Sequence, residues 1–243
     1  MSPSGNGAPA GSSRPEGGAP RPRSGWAPQI GSIFGIPIRL HATFVLLALW
    51  LSITAGRSDA GLFGSIAWLL ILVGSVTVHE LGHALVARRH GVVTEEIMLL
   101  PIGGGSRLRG VAGPGGEVES PLAGPFVNLG IALFGSIALA IVSGPAWATD
   151  EGPGARILVY LVGANVALFV FNLVPAHPLD GGRALRALLG MMLPAPAASR
   201  VTARVGQAFA AVIALFALLL PSGVSLPLIL LALLLFFGAS QQG

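Results

Sequence analysis

A chain of 243 residues with five histidines, ten acidic residues and no cysteine has few ways to do chemistry. The densest reactive cluster is H-E-L-G-H, from His79 to His83. On a helix, residues four apart share one face, so the imidazoles of His79 and His83 converge on one point. Two neutral imidazoles at that spacing suit a tetrahedral zinc ion, one per chain. Glu80 between them lies within reach of a water at that ion as general base. With no thiol present, any metal must be held by histidine and carboxylate.

A hydrolytic zinc site needs a third protein ligand and an open fourth position. Beyond the motif, the later acids are Glu95, Glu96, Glu117, Glu119, Asp150, Glu151 and Asp180. Asp180 stands in F-N-L-V-P-A-H-P-L-D-G-G, where two prolines and two glycines predict an unwound backbone that can carry a carboxylate inward. It is the expected third ligand. Two other readings stay open: Asp180 as N-cap of an amphipathic helix starting near Arg183, and His177 as a competing ligand.

The elements that position these residues are apolar. The chain is 53% hydrophobic and 10% charged, with a mean hydropathy of +0.77, against roughly a quarter charged in soluble domains. The pattern predicts an all-α polytopic membrane protein with about six spans, over 39–56, 62–88, 121–143, 155–174, 201–220 and 226–238. The last is short enough to be re-entrant. With the N-terminus cytoplasmic, twelve of the fourteen arginines fall inside, and Arg57 and Arg156 alone fall outside. His79, nine residues before Arg88, then lies roughly 13 Å below the cytoplasmic boundary. All fourteen basic residues are arginine and sit at span ends rather than on a face with interleaved aromatics, which argues against nucleic acid as a partner.

Residues 1–28, rich in Gly, Pro and Ser, are expected to be a disordered tail before a domain over 29–243. Between the second and third spans, 91–120 predicts a small β-hairpin at the cytoplasmic membrane surface. His90 beside Gly91 reads as a helix end, and His41 as packing at the interface.

Together, H-E-L-G-H at 79–83 and N-L-V-P-A-H-P-L-D-G-G at 172–182 resemble the site-2 protease family of intramembrane zinc metalloproteases. G-I-P-I-R-L-H at 35–41, L-P-I-G-G at 100–104 and E-V-E-S-P-L-A-G-P-F-V-N at 117–128 extend the likeness. The stretch at 91–120 has no room for a PDZ insertion, so the resemblance is to the branch without one. It implies zinc on His79, His83 and Asp180, with Glu80 as base. It also implies cleavage of single-span, membrane-tethered regulatory proteins inside the lipid bilayer. Asn172 matches the motif asparagine, implied to hold substrate backbone; a helix-terminating hydrogen bond is the plainer alternative. The hairpin over 92–111 would present substrate as an extended strand. The rival readings are a metal or proton transporter, or an inactive relative that binds single-span proteins. The Ala/Gly/Pro-rich, lysine-free composition suggests a bacterial inner membrane.

Overall fold

The computed structural model describes residues 27–55, 61–100, 103–110, 113–143, 153–220 and 225–240. The expected tail therefore lies outside the described residues up to position 26, and Ala27 and Pro28 dock on the sheet through their carbonyls, which accept from Arg39 Nη1 and Leu40 N.

Among the described residues seven helices follow one another: α1 Thr43–Ala55, α2 Gly61–Arg89, α3 Pro114–Ser143, α4 Pro153–Leu173, α5 Asp180–Gly190, α6 Ala195–Leu219 and α7 Leu226–Ser240. Four of them, α2, α3, α4 and α6, are long and apolar enough to cross a membrane. The expected first and sixth spans are shorter. Helix α1 has 13 residues and α7 has 15, or about 20 and 22 Å of rise against a hydrocarbon core of about 30 Å. Their exposed Leu, Ile and Phe side chains still suit lipid contact.

The sheet is larger than the hairpin expected from sequence. Its four strands are β1 Gln29–Ile33, β2 Ile36–Leu40, β3 Val93–Leu100 and β4 Gly103–Arg109, in the order β1-β2-β3-β4. A two-residue turn joins β1 to β2, with Phe34 at φ 52° and Gly35 at φ 79°. Positive φ at both positions matches the right-handed twist of a tight hairpin. Strand β2 then pairs in parallel with β3, Ile38 opposite Ile97, which requires a crossover; α1 and α2 supply it. Residues 36–40, expected near the start of the first span, are instead a sheet strand.

Alternation decides which side chains face the helices. Ile36 and Ile38 on β2 and Ile97 and Leu99 on β3 point to one face and pack on Phe44, Val76, Leu81 and Ala84. Leu81 lies within H-E-L-G-H and Ala84 directly follows it, so the sheet presses on the reactive stretch of α2. Ser106 of β4 pairs with Ile97, and cross-strand partners share a face. Ser106 is thereby aimed at α2. His41, just after β2, accepts the Thr43 backbone N–H at its Nδ1, 3.3 Å away, and so caps α1. Helix α2 ends at Arg89, with Gly91 at φ 77°; His90 pairs with Glu119 at 2.9 Å.

Candidate metal centre

Helix α2 carries His79, Glu80 and His83 on its buried side. Helix α3 crosses it closely because Gly82 and Gly124 have no side chain. A methyl group on Gly82 would meet Val127 Cγ2 at 2.9 Å, and one on Gly124 would overlap the His83 ring and lie 2.7 Å from His79 Cε1. Pro121 and Pro125 inside α3 remove two backbone donors there. This crossing puts the Ser120 carbonyl 2.6 Å from His83 Nδ1 and Asn128 Oδ1 3.0 Å from His79 Nδ1.

Those two contacts set the tautomers. A carbonyl oxygen only accepts, so the 2.6 Å contact to Ser120 O, much shorter than the 3.3 Å approach of the Gly124 N–H to the same atom, puts the His83 proton on Nδ1; Asn128 Oδ1 favours the same on His79. Both Nε2 atoms are left with lone pairs. They lie 3.1 Å apart.

Asp180 completes the group from 97 residues farther along the chain. Helix α4 ends at Leu173, and turns through Pro175 and a cis His177–Pro178 bond lead into α5. Gly181 and Gly182 let α5 pack on the end of α4, where any β-carbon would collide with the backbone of Leu173 or Ala176. Gly238 of α7 closes against His177 and Pro178 in the same way. Asp180 Oδ2 thus sits 3.1 Å from His79 Nε2 and 3.0 Å from His83 Nε2. Asp180 is not a cap: Leu179 is the N-cap residue, and no side chain bonds the helix start.

Three lone-pair atoms now form a triangle with edges of 3.0–3.1 Å, all buried. Such a cluster is costly unless a cation sits against it. A tetrahedral zinc with bonds of about 2.0–2.1 Å needs donors about 3.3–3.4 Å apart, so small outward shifts suffice. The donors present fit zinc. Glu80 is nearby but separate. Its carboxylate lies within 4.8 Å of the two imidazoles, and Ser106 Oγ donates to its Oε2 at 2.5 Å.

The centre lines a cavity of about 460 Å³ that also includes Asn172 and Arg183. Asn172 Nδ2 donates to Leu168 O at 3.0 Å, the helix-end bond weighed from sequence. Arg183 Nη1 donates to the second Asp180 oxygen at 3.3 Å. His177 is outside the triangle; burial, with Arg183 and Arg186 nearby, lowers its imidazole below the ordinary value. Sequence reasoning assigned no role to Asn128, Ser106 or Arg183. Asn128 stood inside the matched E-V-E-S-P-L-A-G-P-F-V-N stretch.

The model of peptidase family M50 matches residues 67–151 and 139–217, which hold every one of these groups. The chain is a member of peptidase family M50, the site-2 proteases. A zinc metalloprotease of Methanocaldococcus jannaschii is 38% identical over 212 residues, 86% of this chain and 58% of its own. Rip3 of Mycobacterium tuberculosis is 34% identical over 187 residues, 66% of this chain and 43% of its own. The solved site-2 protease from M. jannaschii superposes with a TM-score of 0.64 at 36% identity, covering 89% of this chain and 95% of that one. The chain spans about half the length of the curated relatives it matches.

In this M50 member Asn128 fixes the tautomer of a ligand-type histidine. Asn128→Ala is expected to weaken zinc affinity about 10- to 100-fold, the usual cost of losing such a partner. Competition with a fluorescent chelator measures it.

Proposed function

We propose that the chain is a zinc-dependent intramembrane endopeptidase that hydrolyses peptide bonds in or beside the transmembrane segments of single-span, membrane-tethered regulatory proteins. The observation that carries this reading is the buried triangle of His79 Nε2, His83 Nε2 and Asp180 Oδ2, with both imidazole protons committed elsewhere. These three residues hold one zinc. When bound, zinc supplies Lewis acidity, which polarises the scissile carbonyl and lowers the pKa of water.

The chain's own residues do the rest. Glu80 takes the proton of the attacking water and returns it to the departing amine nitrogen. Ser106 keeps the Glu80 carboxylate pointed into the cavity. Asn172, on the cavity wall, holds substrate backbone.

Substrate enters as an extended strand, because helical peptide bonds are hydrogen-bonded and shielded. Strand β3 is paired on both sides, so the sheet edge beside the cavity is β4, whose Gly105, Ser106 and Leu108 line it. In the cell the domain spans 29–243, with the 1–28 tail and most arginines on the cytoplasmic side of a bacterial inner membrane.

Co-expression of wild type and Glu80→Gln with tagged single-span proteins tests this. Fragments are expected with wild type alone. Identical fragment patterns from both would overturn the assignment.

A further inference from the structure

The cavity that holds the metal-centre residues changes character along its length. Val76 on α2 stands three residues before His79 and four before Glu80, so it shares their helix face one turn away. Leu168 on α4 stands in the same relation to Asn172, whose amide donates to the Leu168 carbonyl. Val76 and Leu168 pack in one cluster, which joins these two walls. Leu100 at the end of β3 and Leu234 of α7 line the cavity with them. None of these four side chains has a donor or an acceptor. Elsewhere around the centre the lining is polar, with Ser120 beside His83 and Arg183 beside Asp180.

We propose that Val76, Leu100, Leu168 and Leu234 form a subsite for an aliphatic substrate side chain within two residues of the scissile bond, and that Leu234 sets its size. The inference rests on the endopeptidase reading and adds a specificity-determining residue to it. Distance identifies the occupant. One helical turn is about 5.4 Å, whereas an extended peptide advances about 3.3 Å per residue. A side chain seated one turn from the centre therefore belongs to one of the first two residues beside the bond held there.

Leu234 keeps its place because α7 is pinned around it. Leu235 is fully buried against Ala176, Leu179 and Ala210. Gly238, four residues on from Leu234 and on the same helix face, closes on His177 and Pro178. That stretch leads directly into Asp180, so α7 and the metal centre share one support. The Leu234 side chain itself is 38% exposed, which leaves room to shorten or enlarge it without opening the core.

Apolar burial sets the preference. The extra carbons of leucine over alanine are worth about tenfold in binding at a site that stays partly open. A carboxylate there would lose water and meet no partner.

The test uses the full zinc-loaded chain in detergent, with dipeptide hydroxamates bearing Ala, Leu, Phe or Asp at both positions. The hydroxamate grips the ion and so fixes the register of the side chains. Each probe displaces fluorescein-labelled Gly-Gly hydroxamate, read by anisotropy; this tracer has no side chain and reports the metal centre alone. Wild type is expected to bind the Leu probe about tenfold more tightly than the Ala probe, and the Asp probe most weakly. Leu234→Ala should raise affinity for the Phe probe about tenfold, and Leu234→Phe should drop the Leu probe to the level of Ala. Leu233→Ala should keep the wild-type order, because Leu233 is also exposed but does not line the cavity. Tracer affinity should be equal in all four proteins. The same side-chain order in wild type and both Leu234 variants, or a tracer affinity that falls with either variant, would overturn the subsite. A tracer that fails to bind wild type would sink the zinc endopeptidase and the subsite together. Cleavage is read separately: the expected order with no cleavage by wild type would sink the hydrolase and leave the subsite standing.

Discussion

Replacing Glu80 with glutamine is expected to leave zinc content at the wild-type level while cleavage falls about a hundred- to ten-thousandfold. The magnitude is that of a general base removed from an otherwise intact site. Glutamine matches glutamate in size and still offers an oxygen to the Ser106 hydroxyl, so the contact between β4 and α2 survives. It cannot accept the water's proton. Metal content should hold because the close carboxylate is that of Asp180, which touches both imidazoles, whereas Glu80 stands within 4.8 Å of them. Metal analysis of purified protein alongside a reporter-cleavage assay checks both halves. Zinc lost from Glu80→Gln would make Glu80 a ligand instead of the base.

The second large effect falls on Asp180. Asp180→Ala should lower zinc affinity by at least about a hundredfold, more than the loss of an outer hydrogen-bond partner, and abolish cleavage with it. The nearest other acid is Glu80, within 4.8 Å of the imidazoles but engaged by Ser106; among the remaining described acids, Glu95 and Glu96 form salt bridges on the sheet and Glu119 pairs with His90. The helix itself should persist, since Leu179 is its N-cap residue and the Asp180 side chain does not bond the helix start. His177→Ala is the matched control, expected to keep zinc, because His177 lies outside the triangle. Chelator competition with wild type, Asp180→Ala and His177→Ala separates the two. Retained affinity in Asp180→Ala would remove it from the centre.

The parts of this site legible in the sequence are those with a local period. His79 and His83 sit four apart, and that spacing alone places them on one helix face. Asp180 was reached through the proline- and glycine-broken stretch around it, and the packing of Gly181 and Gly182 on α4 shows why that break matters. The sheet was half hidden. Strand β2, I-P-I-R-L, alternates over only five residues and merges with the apolar run of α1, and β1 is exposed throughout, so neither stands out as a half-buried strand. The parallel pairing of β2 with β3 joins residues some sixty positions apart in the chain, a register no local pattern encodes. The roles of Asn128 and Ser106 likewise arise only when α3 and β4 are laid against α2.

We propose that His79, His83 and Asp180 hold a single zinc ion. X-ray absorption at the zinc edge of the purified full-length chain tests it most directly. The expected spectrum shows one zinc per chain with two imidazole nitrogens and at least one oxygen at about 2.0–2.1 Å, and the carboxylate oxygen lost in Asp180→Ala. A third imidazole in the shell, or the same spectrum from Asp180→Ala at full zinc occupancy, would contradict it.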